Sequence, residues 1–388
     1  MEGPAEPGRG AACRPRGPRA RDAGTVTGIA TIRAEAARLR ARFEAAGAQP
    51  VDCAILQPAE TLLDLYGEDI RARAYVTQDP SRGEQMLRPD FTVPVVQMHM
   101  AEGAEPARYT YAGEVFRRQE DHPERASEYL QVGFEVFDRA DPQAADAEVF
   151  ALFEQVLKPH GLRAATGDIG ILTAAVQGLK TSERRRAALM RHIWRPRRFR
   201  QLVDRFAGRS PVPATRAALL EAADPLAGAA PMIGRRSAEE IGERIAALRE
   251  DAAEPPLAEG QVALIDAVLA VRETCAFALD HLRDIAVDLP AIHDAVERFA
   301  LRCEALYQRG VDIHALDFEA SYGRTSMEYY DGFVFGFYAA TQPDLPPVAT
   351  GGRYDALTRQ LGQGASIPAV GGVIRPDILL RLTERTAA

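Results

Sequence analysis

In the stretch GEVFRRQEDHPERASEYLQVGFEVFD, Gly113 to Asp138, a loop dense in charge leads into a clean two-residue alternation. Leu130, Val132, Phe134 and Val136 fall on one side of a strand, and Tyr129, Gln131, Gly133 and Glu135 on the other. An amide and a carboxylate therefore face the same way, about 13 Å apart at roughly 3.3 Å per residue, with a glycine between them that leaves space. A gap of that length suits a ligand of amino-acid dimensions. The same alternation also describes a half-exposed strand whose Glu135 meets water; if buried, that carboxylate needs a donor-bearing partner. A second stretch, MLRPDFTVP, offers Arg88, Asp90 and Thr92 on one strand face, with Pro89 marking a bend or an edge. A third, MEYYDGFVFGFY, offers Tyr329 and Tyr330, of which strand alternation sends only one to a given face, and strand tyrosines also serve as plain packing residues.

The elements that would carry these groups follow from periodicity. Ile29, Ile32, Ala36, Leu39 and Phe43 recur at helical spacing, with Thr27 placed to cap the start. Short strands are predicted at 51–57, 73–77, 85–92, 107–118 and 128–138, and connections this short favour antiparallel pairing. A helix over 143–158 and a strand over 162–169 precede an Arg- and Ala-rich helical block, read as an insertion over 176–288. A helix at 290–308 returns the chain to strands at 311–321 and 326–338, a GGRYD turn and a last helix from Pro376. This pattern is an α+β arrangement, an antiparallel sheet flanked by helices with a helical insertion, because a βαβ series would need a helix between each pair of strands.

The chain has 388 residues, 46% hydrophobic and 26% charged, with a net charge of −8. That composition is globular, and no uncharged apolar run approaches a membrane span. The acidic balance removes the electrostatic default for a nucleic-acid binder. Cys13, Cys53, Cys275 and Cys303 are too scattered for a redox pair or a disulfide framework, which fits a reducing cytoplasm; the seven histidines show no ligand spacing, so no metal is expected. Gly351-Gly352 lacks the GxGxxG spacing of a dinucleotide fold, so no cofactor is expected either. Residues 1–26, rich in Pro, Gly and Arg, read as a disordered tail before a domain over 27–388. The basic stretch ERRRAALMRHIWRPRRFRQLVDRF places Trp194 among arginines as a nucleic-acid patch would; in an acidic chain it reads better as a solvated or partner-facing helix pair broken at Pro196.

GEVFRRQ…SEYLQVGFEVFD resembles motif 2 of the class II aminoacyl-tRNA synthetases, and of the histidyl-tRNA synthetases in particular. LRPDFTVP resembles that family's LRPEGT segment, EYYDGFVFGF its DYYxxTVFE segment, and GGRYDALTRQLG…IPAVGGVI its motif 3 region, so the likeness runs from about Ile29 to Leu380. It implies a class II synthetase-like fold in which Asp90, Thr92 and Gln131 receive the α-amino end of histidine while Glu135 and Tyr330 address its imidazole, with Arg117 and Tyr329 in the same histidine-binding set. Arg324 would meet the carboxylate, although one extra residue separates it from the paired tyrosines. Two departures bear on chemistry: Gln119 stands where motif 2 has glutamate, and Ile378 where motif 3 has its arginine. Adenylation depends on stabilising charge at phosphorus, so these changes, with Arg375 starting a proline-led helix, point to a lost cationic clamp and no catalytic residues. No anticodon-binding domain is expected after motif 3.

A histidine pocket without ATP chemistry resembles the regulatory subunits of ATP phosphoribosyltransferase. That resemblance implies a short catalytic phosphoribosyltransferase as partner, a homodimer, L-histidine as feedback effector, no tRNA and no membrane. Two alternatives stay open: an active class II enzyme that adenylates histidine or acylates a non-tRNA acceptor, and a scaffold whose pocket is vestigial.

Overall fold

The computed structural model describes residues 28–66, 70–119, 125–227, 234–324 and 329–386, so the expected tail and the Thr27 cap lie outside the described residues. The alternating stretch becomes one arm of a long hairpin. Ala107–Phe116 and Glu128–Phe137 pair antiparallel from Ala107 opposite Phe137 to Phe116 opposite Glu128. The hairpin lies in a nine-stranded sheet, in the order Gln49–Pro50, Ala107–Phe116, Glu128–Phe137, Ala369–Ile374, Ala349–Arg353, Phe333–Tyr338, Arg163–Asp168, Asp317–Glu319 and Arg272–Thr274. Six of the neighbouring pairs are antiparallel, and only Gln49–Pro50 with Ala107–Phe116 and Arg163–Asp168 with Asp317–Glu319 are parallel. Leu56–Pro58, Gly83–Leu87 and Val76–Asp79 form a separate small sheet.

The apolar side of Glu128–Phe137 is the packed one, as the alternation requires. Phe134 meets Phe43 of helix Ile29–Ala45, and Phe43 stacks on Phe153 of helix Pro142–Leu157. Phe150 of the latter helix continues the contact onto Phe335 and Phe337. A buried ion network pins the layers together. Asp146 accepts from Arg353 of the sheet at 2.7 Å and from Arg302 of helix His293–Gln308 at 3.3 Å, and Arg302 also reaches Asp168 at 2.7 Å. Paired in this way, four charges are tolerated where one alone would be prohibitive.

Some elements differ from expectation. The strand expected over 85–92 stops at Leu87. The chain then turns, Asp90 Oδ1 accepts the Val93 N–H at 3.4 Å, and a helix runs over Thr92–Glu102 with Pro94 in its first turn, where a missing donor does no harm. Arg88, Asp90 and Thr92 therefore do not share a strand face. The Arg88 guanidinium lies over Phe91 and donates to the carbonyls of Glu114 and Cys53. Of the strands expected over 311–321 and 326–338, Asp317–Glu319 and Phe333–Tyr338 are formed. The helical block includes Glu183–Arg191, Pro196–Phe206, Ala214–Glu221, Ala238–Ala253 and Glu259–Ala270, and it sends Arg272–Thr274 back to the edge of the main sheet.

Candidate functional site

On the face of the strand Glu128–Phe137 that carries Tyr129 and Gln131 lies a cavity of about 540 Å3. Gln131 forms its floor. That side chain is buried, and among the described residues its Oε1 has no hydrogen-bond partner. Beside it stand Asp90 and Thr92, both buried and both brought in by the turn and helix that replaced the expected strand. Tyr329 and Tyr330 form a second wall, and Gly352 lies against the Tyr330 ring, where an added Cβ would come within 2.8 Å. Arg117 closes a third side, its Nε donating to the Pro89 carbonyl at 2.7 Å and its Nη2 lying 4.0 Å from Asp90.

Glu135 is not in the open part of this cavity. The space that Gly133 was expected to leave is filled by Tyr111, which sits opposite it in the hairpin register; a Cβ on Gly133 would lie 2.1 Å from the phenol ring carbon. Tyr111 donates to Glu135 Oε1 at 2.8 Å, Thr92 to the same oxygen at 3.1 Å, and Tyr354 to Oε2 at 2.6 Å. Burial pushes the carboxyl up to about 7, although these three hydroxyls favour its ionised form. Burial first, and then Glu135 itself, hold the Tyr111 and Tyr354 phenols protonated, so both remain donors. Glu135 is thus the anchor beneath a hydroxyl layer, and a ligand reaches its charge through that layer.

Arg324 does not join the cavity. Its Nε donates to the Ile193 carbonyl at 2.7 Å, its guanidinium lies 4.8 Å from the centre of Phe199, and burial pushes it down to about 10. The arginine faces the helical block, so the carboxylate role that the resemblance implied has no geometry here. Arg375 corrects a second expectation. Despite starting the Pro376 helix, it lines the cavity, stacked 4.1 Å over Tyr129, with a buried Nε that lies 4.0 Å from Asp377 Oδ1 and makes no hydrogen bond among the described residues. Arg73, Arg118 and Arg125 line the same wall. Arginines therefore remain along this wall, although the position where motif 3 has its arginine, Ile378, is buried in the core. Gln119 also lines this wall and donates to the Ala126 carbonyl at 3.4 Å.

Tyr111, Tyr354, Arg73, Arg118 and Arg125 escaped the sequence reading. Tyr354 lies inside the GGRYD stretch, and Tyr111 is signalled only once the hairpin register sets it against a glycine.

The family model for histidyl-tRNA synthetase matches residues 27–250 and 242–379. An ATP phosphoribosyltransferase regulatory subunit from Brucella ovis is 31% identical over 368 residues, covering 89% of this chain and 96% of that protein. The chain belongs to this family of regulatory subunits. A second member, from Brucella abortus, is likewise 31% identical and is covered to 95%. Among solved structures, an ATP phosphoribosyltransferase regulatory subunit/histidyl-tRNA synthetase from Bacillus halodurans shares the fold with a TM-score of 0.64 at 20% identity, over 91% of this chain and 79% of that one. A histidine–tRNA ligase subunit from Alicyclobacillus acidocaldarius gives 0.60 at 23% identity, over 96% and 99%. For the regulatory-subunit family the class II synthetase-like fold is thereby established in this chain as well.

Proposed function

We propose that this chain is the non-catalytic, histidine-sensing subunit of a two-component ATP phosphoribosyltransferase in the cytoplasm, required by a short catalytic partner and conferring feedback inhibition by L-histidine. The observation that carries the reading is the polarity of the cavity. Gln131 Oε1, with no hydrogen-bond partner among the described residues, stands with Asp90 and Thr92 as acceptors at the floor, while Arg117 supplies a cation beside Asp90, an arrangement complementary to an α-amino acid zwitterion. Tyr330 and the hydroxyl layer over Glu135 supply polar groups for the imidazole. Arg117, not Arg324, takes the carboxylate. Bound histidine regulates only by favouring one arrangement of the complex, a coupling typically worth about 1–3 kcal/mol.

Self-association fits the same reading. Ile55, Leu56, Tyr75 and Val76, all on or beside the small sheet, are exposed apolar residues suited to a homodimer contact. Among the described residues no helix is long and apolar enough to cross a membrane.

The arginine-rich wall favours a second reading, in which the same cavity binds ATP and adenylates histidine. ATP–pyrophosphate exchange by the purified chain separates the two. The regulatory reading expects no histidine-dependent exchange, and robust exchange overturns it.

A further inference from the structure

Four helices of the insertion each send one charged side chain to a single point. Arg185 of Glu183–Arg191, Arg205 of Pro196–Phe206 and Arg216 of Ala214–Glu221 surround Asp251 of Ala238–Ala253. Arg185 Nε lies 2.8 Å from Asp251 Oδ1, while Arg205 and Arg216 approach Oδ2 at 3.1 and 3.6 Å. Arg185 is consumed by the fold: it is buried and also donates to the carbonyls of Pro255, Asp251 and Glu254. Arg205 and Arg216 are not consumed. Among the described residues each finds one carboxylate oxygen, with Arg205 also lying 4.7 Å over the Phe206 ring, whereas a guanidinium carries five N–H donors.

Both line a cavity of about 340 Å3 whose remaining wall is largely apolar, with Phe206, Val212, Leu220 and Pro256. Asp251 and Glu254 also line it, so three guanidinia face two carboxylates and one positive charge is left over. Burial, opposed by Asp251 and reinforced by the neighbouring Arg216 and Arg185, holds the Arg205 guanidinium below its usual range. An added anion would relieve that.

We propose that this cavity is a second ligand site that takes a small organic monocarboxylate with an apolar body. The carboxylate offers one oxygen to Arg205 and one to Arg216, and the body packs on Val212, Leu220 and Pro256. A dianion such as phosphate is disfavoured because it would stand beside Asp251 and Glu254 with charge in excess. The volume is that of a small-molecule pocket. The site lies in the insertion and does not depend on the histidine reading.

The test titrates the full chain, by calorimetry or saturation-transfer NMR, with phenylacetate, its uncharged isostere phenylacetamide, and inorganic phosphate. Saturable phenylacetate binding is expected, at least about tenfold tighter than either comparator, and Arg205→Gln and Arg216→Gln are each expected to weaken it about tenfold or more. Val212→Trp, at an exposed rim position, fills the cavity while leaving both ion pairs intact, and it should abolish binding. No saturation, equal binding of the amide, or undiminished binding by Val212→Trp overturns the proposal.

Discussion

Glu135 concentrates the physics of the site at the scale of single residues. Its folded pKa stands at about 7 against an ordinary 4.5, with burial as the main cause. The folded state therefore holds its proton more tightly than the unfolded one between those values, and stability falls as pH rises from about 4.5 to 7 and then levels off. The difference is on the order of 3 kcal/mol. Asp331, pushed up to about 7 by burial and then by Asp355, acts in the same direction. Thermal melts between pH 5 and pH 8 should show this decline, and Glu135→Gln together with Asp331→Asn should flatten it. A profile unchanged by both substitutions would show that neither carboxyl carries the shift. Gly371 lies directly under the Glu135 carboxyl, where an added Cβ would come within 1.5 Å of Oε2. Gly371→Ala should cost about 1–3 kcal/mol in urea unfolding, whereas Gly242→Ala, on an open helix surface, should be neutral or slightly stabilising.

At the scale of elements, the cavity is assembled by short connections. Asp331, next to Tyr330, accepts the N–H groups of Asp355 at 3.0 Å and Ala356 at 2.7 Å, so it caps the helix Asp355–Leu361 whose N-cap residue is Tyr354. One carboxylate thereby fixes both the tyrosine wall and a donor to Glu135. Asp331→Asn should weaken histidine binding several-fold without entering the cavity, and Asp331→Ala more so; calorimetry checks the order. The sequence made the hairpin strand and its two faces legible, because a two-residue period cannot be satisfied any other way when one face is Leu, Val and Phe. It could not show that Tyr111 closes the gap over Gly133, since that depends on pairing register and not on either strand alone. Asp90 and Thr92 were read as site residues on a strand, but the turn that starts a helix is what places them at the cavity. Arg324 and Arg375 changed places for a related reason. Proximity along the chain to Tyr329 or to Pro376 says little about which layer a long, flexible side chain joins, and burial against Phe199 or Tyr129 decided it.

At the scale of the whole molecule, the Asp146–Arg302–Arg353 network joins the sheet to two helices. Asp146→Asn leaves two buried guanidinia undercompensated and should cost about 3–5 kcal/mol in chemical unfolding. If the apolar strip beside the small sheet is the self-association surface, Leu56→Glu with Tyr75→Glu should shift the sedimentation profile from dimer to monomer. The account as a whole rests on the sheet cavity accepting histidine as an effector. The most direct measurement is calorimetric titration of L-histidine into the complex with the short phosphoribosyltransferase, alongside the same titration of Gln131→Ala and Tyr330→Phe complexes. Saturable binding by the parent complex, weakened at least about tenfold in Gln131→Ala and measurably in Tyr330→Phe, with feedback inhibition lost in parallel, is the predicted result. Histidine binding and inhibition left unchanged by both substitutions would contradict it.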